Sequence, residues 1–98
     1  MAQRDSGYVY FMIMDTNDVD GCCFMKIGKS INPKKRAEQL DKGPYKVVLL
    51  WVIPTNEMSA LEKRFHGLFD ECLARKEWFM INDDALAFIA HYPGLVDA

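Results

Sequence analysis

Apolar and polar positions change rhythm several times along the chain, and each change marks an element. Tyr8 to Met14 is aromatic and apolar without helical spacing, which predicts a strand from Tyr8 to Asp15. The polar run Thr16 to Gly21 ends in Asp-Gly and predicts a turn, so Cys22 to Gly28 becomes the returning strand of an antiparallel hairpin. Asn32-Pro33 then offers an N-cap and a residue preset for the first helical position. A helix from Pro33 to about Leu40 puts Ala37 and Leu40 on one side and most lysines on the other, with Gly43-Pro44 as its stop. Lys46 to Ile53 is an unbroken apolar run with β-branched members, the pattern of a central strand covered on both faces. Pro54-Thr55-Asn56 ends it and caps a second helix, about Glu57 to Phe69, whose Met58, Leu61, Phe65, Leu68 and Phe69 recur at helical spacing. Glu77 to Ile81 reads as a short extended segment anchored by Trp78 and Phe79. Asp83-Asp84 caps a third helix from Ala85 to about His91, before Pro93-Gly94. The order ββαβα, then an extended piece and a helix, predicts an α+β fold: a three-stranded, mainly antiparallel sheet flanked by helices.

Composition bounds the rest. Ninety-eight residues, half of them hydrophobic and 27% charged, make one small globular domain, with its core between about residues 7 and 90. The longest apolar stretches are too short to cross a bilayer, and the first residues lack a secretory leader pattern, so the expectation is a cytoplasmic protein with no membrane partner. A formal net charge of −2 argues against a protein that coats nucleic acid indiscriminately. Its distribution says more. Lys26, Lys29, Lys34, Lys35 and Arg36 crowd one segment, whereas Asp15, Asp18, Asp20, Asp83, Asp84 and Asp97 lie elsewhere. Such a chain can meet a polyanion on one side, although most charge clusters are simply solvated helix flanks. The 3 cysteines, two of them adjacent, have neither disulfide-framework nor zinc-ligand spacing and read as packed thiols.

Two familiar motifs fail on inspection. Gly28-Lys29-Ser30 looks like the end of a phosphate-binding P-loop, but Cys23 stands where that loop needs glycine. A calcium loop ending its turn at Gly21 would begin at Thr16 and place Ile27 where the coordinating glutamate belongs. A constellation survives. Tyr10 lies on the first strand, Lys26 and Gly28 on the second; the hairpin brings Tyr10 near Lys26, and the short connection swings Arg36 back over the strand end. On a wheel of about 100° per residue, Glu62 falls beside the apolar stripe of its helix and shares a face with His66. A carboxylate at the edge of a core, with a histidine on the same side, could hold one divalent metal. A lone glutamate beside such a stripe is ordinarily structural, so only its company raises it.

These residues, in this order, closely resemble the GIY-YIG endonuclease superfamily, especially its small phage and bacterial branch. Tyr8-Val9-Tyr10 stands at the first motif and Lys26-Ile27-Gly28 at the second, in the K-I-G form of that branch. Gly28 to Arg36 keeps the family's interval from glycine to arginine. Leu61-Glu62 with His66 and Phe69 resembles its L-E-x-x-x-H-x-x-F element, and Glu77-Trp78-Phe79 its closing E-W-F. The resemblance implies a nuclease, most simply acting on DNA, with Glu62 as ligand to Mg²⁺ or Mn²⁺. It implies that Tyr10 activates or positions the attacking water and that Arg36 stabilises the pentavalent phosphorane. His66 would serve as a base or orient water, and Lys29, Lys34 and Lys35 would grip flanking phosphates. Lys26 replaces the second motif tyrosine; it could orient water or ease ionisation of Tyr10 by its charge. Tyr8 is an alternative phenol on the same strand face as Tyr10. Asn82 is a candidate for the family's closing asparagine, or simply the cap of the last helix.

Three readings stay open from the sequence: a metal-dependent endonuclease, a non-catalytic nucleic-acid-binding descendant, and a small protein- or ligand-binding module reusing the fold. A domain this small would draw target specificity from a partner protein or from a second copy in a homodimer. Trp51, Trp78, Phe65 and Phe69 read as core, Gly28 as a strand-end turn, and His91 as a helix terminus.

Overall fold

A computed structural model describes residues 5–15, 23–41, 46–75 and 78–98. The expected Thr16 to Gly21 turn, the Gly43-Pro44 stop and Glu77 lie outside these. In chain order the described elements are β1 (Gly7–Asp15), β2 (Cys23–Ser30), α1 (Pro33–Leu40), β3 (Lys46–Thr55), α2 (Met58–Leu68), a 3-10 turn (Asp70–Cys72), β4 (Leu73–Arg75), β5 (Trp78–Ile81), α3 (Asp83–Ala90) and β6 (Val96–Asp97).

The α+β class and the ββαβα core stand, but the three-stranded sheet does not. Among the described residues six strands form one sheet in the order β4-β5-β2-β1-β3-β6, and neighbouring strands are antiparallel. The expected three strands are its centre. β4 and β6, of three and two residues, are too short to show a hydrophobic period, and β5 joins β2 as a paired strand. The hairpin pairs Tyr8 with Ser30 through to Ile13 with Met25.

The sheet has two covered faces, and the sequence period assigns residues to them. Val9, Phe11, Met25, Ile27 and Ile53 join Phe65 and Phe69 of α2 and Ile89 of α3 in the larger core. Tyr10, Met12 and Val47 point the other way and pack with Ala37 and Leu40 of α1 and with Trp78. α1 and α2 therefore cover opposite faces. β3 reconciles its unbroken apolar run with this alternation through a register shift: Phe11 opposes Trp51 while Met12 opposes Leu49. Leu50 is the extra residue, so Leu50 and Trp51 both serve the larger core, while Leu49 and Val52 serve the smaller. β3 is consequently only partly buried along most of its length, not sealed on both faces.

The helix starts are instructive. Asn32 caps α1 by accepting the Lys35 N–H at 3.2 Å, and Pro33 occupies the first turn, as expected. α2 is not capped by Asn56, whose amide oxygen accepts from the Ser6 hydroxyl at 3.1 Å. Its first turn is closed from a distance by Asp5. The Asp5 backbone carbonyl accepts Met58 N–H at 3.0 Å, and its carboxylate accepts Ser59 N–H at 3.1 Å and the Ser59 hydroxyl at 2.6 Å. Leu68 does not join the buried stripe and is 54% exposed. It lies on the opposite flank of the stripe from Phe69, about 100° away, at the last turn of the helix.

Candidate functional site

The chemistry gathers around the middle of β2, where three elements meet it. Tyr10 stands opposite Gly28 in the hairpin register. A Cβ built on Gly28 would fall into the Tyr10 phenolic oxygen and lie 2.5 Å from its Cζ. The tyrosine ring thus crosses directly over the glycine, with its hydroxyl above the β2 backbone. This corrects the reading of Gly28 as a strand-end turn: β2 runs on to Ser30, and the glycine is required by close approach. Tyr10 is only 2% exposed, so the phenol is part of the smaller core as well as of the site.

Lys26 lies two residues away on the same face and is 6% exposed, the only buried charged residue among those described. Its ammonium sits over the ring of Trp78, 5.6 Å from the centroid, and Trp78 is its cross-strand partner on β5. That arrangement explains two motif residues at once. The tryptophan of the E-W-F element shelters the lysine with its electron-rich face, while Phe79 turns to the larger core.

Among the described residues β5 pairs with β2 as far as Lys26. At the next residue α2 reaches the strand: the Ile27 carbonyl accepts the Nε2–H of His66 at 2.7 Å. A carbonyl can only accept, so this contact fixes the proton on Nε2. Any base or water-orienting work by His66 therefore falls to Nδ1. The His66 ring also packs on Phe79, 5.1 Å between centroids. Two turns earlier in α2, the Ser59 hydroxyl accepts from the Lys29 ammonium at 2.7 Å. Ser59, Glu62 and His66 share one flank of the helix, within about 60°. Glu62, half-buried, lies between Ser59 and His66 on that flank.

Arg36 approaches from the opposite face. It lies on the exposed flank of α1 beside the buried Pro33, Ala37 and Leu40 side, and its Nη1 is 3.5 Å from Gln39 Oε1. Arg36, Lys35 and Gln39 line a recess of about 320 Å³ with Ser30 at the end of β2. Lys34 projects to the other side of the helix, into a recess of about 330 Å³ shared with Tyr8, Asn32, Val52 and Asp97. The three lysines expected to grip phosphate thus divide: Lys35 with Arg36, Lys34 across the helix, and Lys29 on the α2 face.

Tyr8 shares the face of Tyr10, as alternation predicts, and is the more open phenol. Asn82 accepts the Ala85 N–H at 2.9 Å and caps α3. It follows Ile81, whose partner Cys23 is already five residues along β2 from Gly28, about 16 Å at ~3.3 Å per residue, so it lies beyond that distance. The structure brings Tyr10 of β1 together with Lys26 and Gly28 of β2 on the face that α1 covers, carries Glu62 and His66 on α2, which covers the other face, and leaves Asn82 outside. Two partners of the site were not foreseen, Ser59 and Asp5. Ser59 shares the helix flank of Glu62 in the sequence, but nothing local pointed to Asp5.

Among the described residues no three His, Cys, Asp or Glu side chains group as a metal cage, and no helix is long and apolar enough to cross a membrane. No curated protein and no solved structure matches the chain significantly. A family model does match, over residues 7–90, which span every candidate residue above. The chain belongs to the T5orf172 domain family.

Proposed function

We propose that the protein is a GIY-YIG-type endonuclease that hydrolyses phosphodiester bonds with the help of one divalent cation, DNA being the first substrate to test. The observation that carries this reading is the Tyr10 phenol laid over Gly28 beside the sheltered Lys26, with half-buried Glu62 on the helix flank that His66 ties to β2. Family membership is compatible with it, since the T5orf172 domain is associated with endonuclease-like proteins.

Glu62 fits a hard cation such as Mg²⁺ or Mn²⁺. A single half-buried carboxylate suits an ion that keeps most of its waters and takes the rest of its oxygens from the substrate phosphate. When bound, the ion would draw charge from the scissile phosphate. The protein's own part is positional. Tyr10 holds or passes a proton at its phenolic oxygen above Gly28. The Lys26 ammonium, on the same face and held over Trp78, sets a positive charge on the phenol's side of the sheet. Arg36 sets a planar fork of donors against phosphate oxygens, where charge builds during displacement. His66, fixed by Ile27, holds α2 and therefore Glu62 against the strand.

Supercoiled plasmid incubated with Mg²⁺ or Mn²⁺ tests the proposal. Nicking is expected from the wild type, and Glu62→Ala and Arg36→Ala should each reduce it by about 100-fold or more. Identical plasmid profiles for wild type and both variants, across metals and pH, sink it. The near-complete burial of Tyr10 favours one rival, a binding module without cleavage. Salt-dependent binding with no nicking would select that rival.

A further inference from the structure

The apolar residue most out of place is Ile31, between β2 and α1. It is 76% exposed, the highest value among the exposed large hydrophobics. A single exposed apolar side chain is ordinary, but this one is held rigidly and stands at a junction. Ser30 Oγ accepts the Asn32 N–H at 3.0 Å, Asn32 caps α1, and Pro33 behind it is buried. On the other side Gly7 lets the backbone of Ile31 pass close, its Cα 3.5 Å from where a Cβ on Gly7 would be. Ile31 borders three recesses of about 320 to 340 Å³, each of a size to receive a nucleobase or phosphate. One holds Lys35 and Arg36, another Tyr8, Asn32 and Lys34.

We infer that Ile31 is an apolar wedge on which a base of the bound strand stacks, between a phosphate held by Lys35 and Arg36 and the next nucleotide in the Tyr8–Lys34 recess. Charge complementarity selects a polyanion as the occupant: exposed Lys34, Lys35 and Arg36 stand within five residues of the wedge, in the recesses on both sides of it. The apolar tip selects bases as the part it touches, since phosphates and sugars give it nothing to bury against. Rigid display matters, because a wedge that must first be ordered would lose part of its gain. The inference rests on the nucleic-acid reading above, not on cleavage.

A single-stranded oligonucleotide carrying 2-aminopurine tests it, titrated with wild type, Ile31→Ala and Ile31→Met by anisotropy and 2-aminopurine emission. Wild type should bind with a rise in emission as the base leaves its stack. Ile31→Ala should bind about tenfold more weakly, with the salt dependence unchanged and the rise lost; Ile31→Met should restore both. The substitution is at an exposed position, so folding is not at issue. Equal affinity and equal emission for wild type and Ile31→Ala overturn the wedge while leaving nucleic-acid binding intact. Wild-type binding without an emission change overturns it as well. Absence of wild-type binding at low salt defeats the nucleic-acid reading, and the wedge with it.

Discussion

At the scale of single residues, the Tyr10–Gly28 pair is where sequence, packing and chemistry coincide. Gly28→Ala puts a methyl into the Tyr10 ring, and both residues lie in a covered face, so the ring must move. The expected loss of stability is about 1–3 kcal/mol, as for overpacking in a core. Shrinking the partner should relieve it. In urea denaturation the double variant Gly28→Ala/Tyr10→Leu should cost at least about 1 kcal/mol less than the sum of the single changes. Strict additivity would mean that the ring does not press on the glycine. His66 allows a second test. His66→Phe keeps an aromatic ring against Phe79 but removes the donor that satisfies the Ile27 carbonyl. A loss of about 1–2 kcal/mol is expected, and a variant as stable as wild type would remove the role assigned to that imidazole. The hairpin was enough to bring Tyr10 near Lys26 in advance, but not to show its ring crossing Gly28. The sheltering of Lys26 by Trp78 was not legible, because 52 residues separate them and only the β2–β5 register joins them.

At the scale of elements, α1 and the β1–β2 pair could be read closely in extent, since each carries its own signals: an alternating strand and an Asn-Pro start. α2 was legible in extent but not in how it begins. Asn56 has the chemistry of a cap, yet the helix is closed by Asp5. A cap supplied from 54 residues away leaves no local trace. The same holds for the bulge at Leu50, which an unbroken apolar run conceals, and for β4 and β6. Asp5 ties the chain start to α2, and through Ser59 to Lys29 on β2. Asp5→Ala should therefore lower stability by about 1 kcal/mol, the usual worth of a cap, or about 4–8 °C in melting temperature for a domain of this size. Amide exchange at Ser59 should speed up more than exchange in the last turn of α2. A melting point unchanged in Asp5→Ala, with Ser59 still protected, would mean that the helix start is closed by something else.

At the scale of the whole molecule, charge is sorted by the sheet. A net charge of −2 gives no long-range pull toward a polyanion, so binding must come from a local field. α1 presents Lys34, Lys35 and Arg36 on one face of the sheet, whereas Lys29 lies on the face of α2 and donates to Ser59. The basic run that looks continuous in sequence is thus divided in space, and its members should differ in how they respond to salt. Each cation that releases a counterion from a single strand contributes about 0.7 to the slope of log K against log salt, and about 0.9 on a duplex. Lys35→Ala should lower the slope by close to that amount. Lys34 shares its recess with Asp97, whose carboxylate offsets part of its field, so Lys34→Ala should lower the slope by less. Lys29→Ala should leave the slope unchanged and show itself as a small loss of stability at the start of α2. Anisotropy titrations across a salt series, run beside melting curves, separate these outcomes. Equal slope changes for all three lysines would mean that the strand wraps both faces of the sheet, and the assignment of the binding surface to α1 would have to be given up.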